Sequence, residues 1–231
     1  MSAKRIIVAI DGPAGAGKST LAKRIAEKLG FLYINSGAMY RAIALWALQL
    51  GVSLSDMHRL EQLAQQAQIA LEPGDGRVFL NGEDVTEAIR QPQIADAASQ
   101  VSAVPGVRRA LLPLQRSMAD HTSVVMEGRD IGSVVFPHAQ VKIFLDAEPT
   151  ERARRRALEL EENGAQTHLA MVADDLHSRD QRDRQRSESP LVQSPDADLI
   201  DTTGLSLQQV EDEVLRIVRT RTSNGKAAAS N

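Results

Sequence analysis

Short apolar runs alternate along this chain with longer segments in which apolar residues recur every three or four positions. The run Arg5–Ile10 is rich in β-branched residues and predicts a strand, whereas Thr20–Leu29 has helical spacing. Because strands and helices follow one another in this way, we expect an α/β fold with a central parallel sheet flanked by helices. The other predicted strands are Phe31–Ile34, Ser123–Met126, Val141–Leu145 and Leu199–Ile200, and the other helices are Ala38–Leu50, Asp56–Gln68, Val107–Ala119 (interrupted or bent at Pro113), Thr150–Asn163, Thr167–Arg186 and Leu207–Arg221.

A small antiparallel element interrupts this alternation within about residues 62–102. Ile69–Leu71 and Val78–Leu80 predict two strands, and Asn81-Gly82 is a strong hairpin signal because both residue types tolerate positive φ. An antiparallel element inside an α/β chain indicates an inserted α+β subdomain. The helices predicted to complete it are Thr86–Arg90 and Gln93–Ser102.

The segment Gly12–Ser19 has the spacing of a phosphate-binding loop, G-x-x-x-x-G-K-[ST], and lies between a predicted strand and a predicted helix. Glycines let successive N–H groups converge on an anion, and the dipole of the following helix adds to the attraction. Lys18 would reach the β- and γ-phosphates, and the Ser19 hydroxyl would bind Mg²⁺. The residues predicted to form this phosphate site are Gly12, Pro13, Ala14, Gly15, Ala16, Gly17, Lys18, Ser19 and Thr20.

The composition excludes several classes of protein. The absence of cysteine excludes disulfides, thiolate metal sites and cysteine catalysis. A net charge of −3 argues against a general nucleic-acid binder, and no apolar run approaches the length of a membrane span. Because the chain enters a strand without a signal peptide, we expect a soluble, cytoplasmic protein. No long exposed apolar face stands out, so we expect a monomer. We expect one domain over residues 1–222 and a disordered tail over residues 223–231.

Arginine outnumbers lysine by 21 to 6, and the planar guanidinium suits phosphates and carboxylates. Polar clusters with arginine follow two predicted strands, at the edge where ligands of parallel sheets gather. In the first, Ser36 is a candidate helix N-cap and Arg41 lies one turn further on. In the second, Glu127-Gly128-Arg129-Asp130 ends an apolar strand in the manner of a Walker-B carboxylate.

Two predicted helices carry further arginines. Arg179, Asp183 and Arg186 are spaced to share one helix face, which suits a ligand with a phosphate and a hydroxyl group. The alternative is a solvated face held by ion pairs. The second helix lies in a segment of about residues 150–170, which is either an exposed, ion-paired helix or a mobile lid over a transferring phosphoryl group; its arginines include Arg152, Arg155 and Arg156.

Together these segments resemble the bacterial cytidylate kinases, a family of nucleoside-monophosphate kinases, from Ile6 to about Arg219. The resemblance implies a P-loop kinase core with a small insertion in the monophosphate-binding region and a short helical lid. It also implies phosphoryl transfer from ATP to CMP or dCMP with Mg²⁺. The most specific stretches are Ile10–Pro13, Ser36–Arg41, Gly128–Gly132, Val134–Pro137 and Arg179–Arg186.

The resemblance also implies roles for single residues. Asn35 and Glu127 stand where the family often has aspartate. The CMP-binding residues would face the base (Ser36, Arg108 and Asp130), the phosphate (Arg41, Arg129 and Arg186) and the sugar (Arg179 and Asp183, with Ser99 nearby). The groups expected to stabilise the transferring phosphoryl electrostatically, with no catalytic base, are Lys18, Arg129, Arg155, Arg156 and Arg186.

Other functions remain open at this point. A second small-substrate P-loop kinase, acting on UMP or shikimate, would share the phosphate loop. A P-loop ATPase or GTPase switch would share it too, although the guanine-reading Asn-Lys-x-Asp motif does not occur in the sequence. A nucleotide-binding module without turnover is disfavoured because the lysine, the hydroxyl and the arginines are all present.

Overall fold

The computed structural model of the protein describes residues 5–72, 76–162 and 167–227. A five-stranded sheet with the order β2-β6-β1-β7-β8 forms its centre, and every neighbouring pair in it is parallel, as the alternation of strands and helices predicts. Its strands are β1 (Ile7–Asp11), β2 (Leu32–Asn35), β6 (Val124–Glu127), β7 (Val141–Asp146) and β8 (Asp198–Asp201). The helices are α1 (Lys18–Leu29), α2 (Ser36–Gln49), α3 (Met57–Gln66), α4 (Pro92–Ser102), α5 (Pro105–Ser117), α6 (Pro149–Glu162), α7 (Leu169–Gln185) and α8 (Leu207–Ala227).

Helices cover both faces of the sheet, so most residues of its central strands are apolar, and several of the charged ones lie at the carboxyl ends. Ala9 points into a core shared with α2 to α5, whereas Val8 and Ile10 point into a core shared with α1 and α8. All three side chains are fully buried. This alternation across a sheet that is covered on both sides explains why the strands read as continuous apolar runs.

A second, antiparallel sheet occupies the predicted insertion, with the order β3 (Ile69–Leu71), β4 (Val78–Leu80) and β5 (Glu83–Asp84). Its hairpin turn is confirmed: Asn81 and Gly82 have φ of 52° and 87°. Val78 and Leu80 belong to the same core as α2, so the insertion is packed onto the main sheet layer.

Most predicted elements are found with their ends shifted by one or two residues, and three features differ further from the prediction. A 3₁₀ turn at Ala88–Arg90 replaces the helix predicted at Thr86–Arg90. Helix α5 passes through Pro113 without interruption, because this residue lies on the exposed side, where water replaces the hydrogen bond that the ring removes. Helix α8 continues to Ala227, five residues into the segment that we expected to be a disordered tail. Residues 228–231 lie outside the described part of the chain.

The sequence did not predict the π-helical turn at Ile131–Val135 that follows β6. Such turns are rare and are frequently found at functional sites. This one begins directly after Asp130, and its first two residues, Ile131 and Gly132, are called the start of the π turn below.

The phosphate loop passes close to the carboxyl end of β7. Gly12 has a φ of 146°, and a Cβ atom on it would lie 2.0 Å from the backbone oxygen of Leu145. Only glycine allows both this backbone conformation and this approach.

We therefore expect Gly12→Ala to lower the free energy of unfolding by more than the roughly 1–3 kcal/mol of backbone strain alone. The matched control is Gly30→Ala, also at positive φ but with no atom of the described chain within 4 Å, which should cost about 1 kcal/mol. Urea denaturation of the two variants measures the difference. Equal losses would contradict the close approach of the loop to β7.

Candidate active site

A cleft of about 660 Å³ opens at the carboxyl ends of β1, β2 and β6. The phosphate loop forms one wall, the beginning of α2 and the segment after β6 form the base, and α4, α6 and α7 close the sides. The sheet topology therefore brings together clusters that are far apart in the sequence, as expected at this edge of a parallel sheet. The phosphate-loop residues that line the cleft are Ala14, Gly15, Gly17, Lys18, Ser19 and Thr20, whereas Gly12, Pro13 and Ala16 complete the loop behind them.

Lys18 lies at the base of the phosphate loop and is buried. Its Nζ donates a hydrogen bond to the Pro13 carbonyl oxygen at 2.6 Å, which bends the lysine back over its own loop. Burial, with the positive charge of Arg129 added, lowers the pKa of Lys18 well below its usual value. A bound polyphosphate would bring negative charge next to Lys18 and so stabilise its protonated form.

Glu127, the last residue of β6, connects the phosphate loop to β2. Its carboxylate accepts hydrogen bonds from the Ser19 hydroxyl at 2.9 Å and from the Tyr33 hydroxyl at 2.7 Å. Burial and the nearby Glu127 charge raise the pKa of Tyr33, so the phenol remains a donor. The carboxylate is thus held against the hydroxyl that the motif assigns to Mg²⁺.

These oxygen atoms fit a magnesium ion. The ion prefers oxygen ligands, and nucleotide sites hold it through one or two protein groups together with substrate phosphates. The Ser19 hydroxyl and the buried Glu127 carboxylate form such a pair. In the part of the chain that the structure describes, no group of three or more His, Cys, Asp or Glu side chains is arranged to hold a metal ion by itself.

The expectation that Ser36 is the N-cap of α2 is wrong. Asn35 is the cap, because its side-chain oxygen accepts from the Ala38 N–H at 3.2 Å. Ser36 is the first helical residue, and its hydroxyl donates to the Glu127 carbonyl oxygen at 2.7 Å. Both residue types are good caps, so a shift of one position is not decided by the sequence.

Arg108 and Asp130 form a buried ion pair that lines the cleft. The Arg108 guanidinium also donates to the Ser102 carbonyl oxygen at 3.2 Å, and it lies over the Tyr40 ring at 5.2 Å from the ring centre. Burial alone would lower the pKa of Arg108, but Tyr40 and Asp130 outweigh it and raise the pKa. The Asp130 side chain therefore lies beside a donor that several contacts hold in place.

Four arginines converge on the same cleft; we call Arg41, Arg129, Arg179 and Arg186 the arginine cluster. Asp183 lies among them and is buried: it accepts from Arg129 Nε at 2.9 Å and lies 3.5 Å from Arg186 Nη1. Burial would raise the pKa of Asp183, but the attraction of the arginines outweighs it and lowers the pKa. The single Asp183 carboxylate therefore forms ion pairs with both Arg129 and Arg186.

Several donors of the arginine cluster remain unsatisfied. Within the described residues, no group accepts a hydrogen bond from the solvent-shielded Nε of Arg41, the Nε of Arg179, or the Nε and Nη2 of Arg186. Burial, with repulsion from Arg129, lowers the pKa of Arg179 to about 10. Burial also lowers the pKa of Arg41 and of Arg186. Unpaired, desolvated donors of one sign are a site for an anion.

The arginines of α6 have three different environments. Arg152 is buried and pairs with Asp180 at 2.6 Å, beneath the phosphate loop, where it also donates to the Ala14 carbonyl oxygen. Arg156 lines the cleft and pairs with Glu159 at 2.8 Å.

Arg155 does not line the cleft in the described structure; it donates to the Thr202 hydroxyl and carbonyl oxygens, both at 2.8 Å. Adjacent residues on a helix point about 100° apart, which agrees with the different surroundings of Arg155 and Arg156. Among the described residues only Arg156 of the two lines the cleft. The role of Arg155 at the transferring phosphoryl group stays a prediction.

The expected position of Ser99 near the sugar stays a prediction. Ser99 is buried in α4 and does not belong to the described residues that line the cleft, whereas Ser102, one turn later, does. Sequence reasoning missed Ser102 and the Tyr40 ring beneath Arg108. Tyr40 lies inside the quoted stretch Ser36–Arg41, but no spacing rule points to a stacked ring.

A sequence model of the family described as cytidylate kinase matches residues 8–220. The chain belongs to the cytidylate kinase family. A family member named Cytidylate kinase from Solibacter usitatus (strain Ellin6076) is 56% identical over 225 residues, covering 96% of each chain. Another, from Desulfitobacterium hafniense (strain Y51), is 48% identical over 229 residues and covers 99% of each chain.

A solved structure is similar in fold. A gluconokinase from Sinorhizobium meliloti 1021 superimposes with a TM-score of 0.51, covering 98% of each chain at 14% sequence identity. At that identity the likeness concerns the fold alone. It agrees with the P-loop kinase core expected of a cytidylate kinase family member.

Proposed function

We propose that this protein transfers the γ-phosphoryl group of ATP to CMP or dCMP, giving ADP and CDP or dCDP. Membership of the cytidylate kinase family supports this directly. The structural observation that supports it is the arginine cluster, which has unpaired buried donors and lines the same cleft as the phosphate loop. A transferase between two nucleotides needs two anion sites, and we propose the phosphate loop and the arginine cluster as these two sites.

Such a reaction needs little covalent help from the protein. The two phosphate chains must be held in line, their charge neutralised and water excluded. Lys18 would contact the donor phosphates, and Arg156 would approach them from α6. Arg129 and Arg186 would neutralise the acceptor phosphate, which attacks as an anion, so no general base is required.

On the acceptor side, the proposed contacts follow the three groups of CMP. Arg41, Arg129 and Arg186 would bind the phosphate, since all three are cations that line the cleft and Arg41 and Arg186 have unpaired donors. Asp183, oriented by Arg129, would meet the sugar together with Arg179. Asp130 and Arg108 would read the base.

Magnesium is the proposed cofactor, held by the Ser19 hydroxyl with Glu127 behind it. When bound, the ion would neutralise charge on the donor phosphates. The protein's own part is to keep both oxygens in place. We also propose that the protein acts as a monomer. No helix among the described residues is long and apolar enough to cross a membrane.

Release of ADP in a coupled assay tests the function, with CMP, dCMP, UMP, AMP, GMP and shikimate as acceptors. The proposal requires that CMP or dCMP give the highest kcat/KM. A higher value for UMP or shikimate would assign the protein to another small-substrate kinase. Hydrolysis of ATP without acceptor, faster than transfer, would indicate an ATPase.

We expect Lys18→Ala to reduce turnover by at least about 100-fold, because a preorganised charge in a dry phosphoryl-transfer site contributes on the order of 3–4 kcal/mol. The matched control is Lys23→Ala, five residues later on the exposed side of α1, which should leave turnover unchanged. Steady-state kinetics and circular dichroism check activity and fold. Retention of more than a tenth of wild-type turnover would remove Lys18 from the proposed role.

We expect Asp130→Asn to lower activity on CMP and to narrow the ratio of CMP to UMP activity. A carboxylate accepts from the cytosine amino group but has no partner in the uracil carbonyl, whereas an amide can also donate to that carbonyl. A site that hydrogen-bonds one substrate group can reject the analogue by up to roughly 10⁴–10⁵-fold. The kcat/KM values for CMP and UMP measure the ratio.

Asp96→Asn is the control for Asp130→Asn, because Asp96 is an exposed aspartate that pairs with Arg182 at 3.0 Å on the outside of α4. Asp96→Asn should leave kcat/KM unchanged for both CMP and UMP. An equal loss on CMP and UMP in Asp130→Asn would mean that Asp130 supports the site without reading the base.

A further inference from the structure

Asp11 is a buried carboxylate that the proposed chemistry leaves without a task. It is the last residue of β1 and directly precedes Gly12 of the phosphate loop. Its side chain is only 5% exposed. It points away from its own loop and accepts hydrogen bonds from two backbone N–H groups, those of Ile131 at 2.8 Å and Gly132 at 2.7 Å, one on each carboxylate oxygen.

These two N–H groups begin the π turn, where backbone donors have no partner within the turn itself. Asp130 occupies the capping position, yet among the described residues its side chain makes no capping hydrogen bond. Its carboxylate pairs with Arg108 instead. Asp11 therefore performs from a neighbouring strand the capping that Asp130 would otherwise perform, and this leaves Asp130 available to the cleft.

A second link holds the other end of the same short segment. The Gly128 N–H donates to the Ile10 carbonyl oxygen at 3.0 Å. Consecutive residues of β1, Ile10 and Asp11, thus fix the chain on either side of Arg129 and Asp130. The carboxyl end of β1 therefore leads into the phosphate loop and also holds in place the residues that we propose to bind CMP.

Keeping this carboxylate buried is costly. Burial raises the pKa of Asp11 to about 6, and the neighbouring Asp130 charge acts in the same direction, whereas the two backbone N–H groups and Lys18 oppose the rise. An uncharged acceptor would avoid this cost. The carboxylate supplies two equivalent oxygens, which two adjacent N–H groups require.

We propose that Asp11 is a positioning residue, which holds Arg129 and Asp130 at a fixed place relative to the phosphate loop through its two hydrogen bonds to the start of the π turn. The inference rests on the proposed function, since it assigns these two residues to the acceptor. It predicts that loss of one of these two hydrogen bonds weakens the binding of CMP more than the binding of ATP.

The test compares wild-type protein with Asp11→Asn, in which the amide keeps one acceptor oxygen and turns a donor toward the second N–H. Calorimetry with CMP alone and with ATP alone gives the two affinities. Steady-state kinetics give KM and the ratio of kcat/KM for CMP to kcat/KM for UMP, called the CMP to UMP ratio below. We expect CMP to bind about tenfold more weakly and the ratio to narrow, with ATP affinity within about twofold. A CMP affinity within twofold of wild type, or equal losses for CMP and ATP, would overturn the proposal.

Two further variants separate positioning from general destabilisation. Glu211→Gln removes another buried carboxylate, which pairs with Arg24 and Lys28 between α1 and α8, and it should leave the CMP to UMP ratio unchanged. Gly132→Ala approaches the same contact from the π turn, since its Cβ would lie 3.4 Å from Asp11 Oδ2 and 3.2 Å from Lys142 Cδ.

Gly132→Ala should shift the CMP to UMP ratio in the same direction as Asp11→Asn, and it decides the question if Asp11→Asn does not fold. An unchanged ratio in Gly132→Ala would then overturn the proposal. If wild-type protein uses another acceptor, the proposed function fails, and the same comparison with that acceptor still measures the role of Asp11.

Discussion

Positive charge held at one end of the sheet, without enough carboxylates to neutralise it, is the constraint on which the site depends. Two members of the arginine cluster, Arg129 and Arg186, share one buried aspartate, Asp183, and several N–H donors of the cluster have no acceptor within the described residues. Unpaired buried charge is expensive, so the rest of the fold must hold these groups together against their repulsion. A phosphate dianion would relieve that repulsion, which couples substrate binding to the stability of the site.

The parallel sheet is what makes this arrangement possible. Its strand order places β6 between β1 and β2, so that three loops meet at one edge. Hydrogen bonds from Ser19, Tyr33 and Ser36 to Glu127 then lock those loops to one another. Helix α7 adds Arg179 and Asp183 from the far end of the chain. Side chains on strands and helix ends hold such geometry more firmly than side chains on free loops.

Much of this could be predicted from the sequence, because the signals are local and periodic. The phosphate loop is a contiguous motif, the strands are apolar runs, and the Asn81-Gly82 hairpin has its own turn chemistry. The common face of Arg179 and Asp183 follows from helical spacing, and both line the cleft. What these features share is that a few neighbouring residues determine them.

The remaining features depend on contacts between distant segments. Neither Asn35 nor Ser36 is marked in the sequence as the cap, because the choice depends on Glu127, more than ninety residues later. The direction of Arg155 depends on Thr202, and the π turn depends on Asp11. No periodicity carries such information, so these details required the three-dimensional structure.

Calorimetric binding of CMP and of cytidine tests the central claim most directly, since the two ligands differ only in the phosphate that the arginine cluster is held to receive. The account predicts that CMP binds at least about 100-fold more tightly than cytidine, because charge-assisted hydrogen bonds contribute about 1.5–3 kcal/mol each, and that this advantage decreases as salt is added. Cytidine binding within a few-fold of CMP, with no salt dependence, would contradict it.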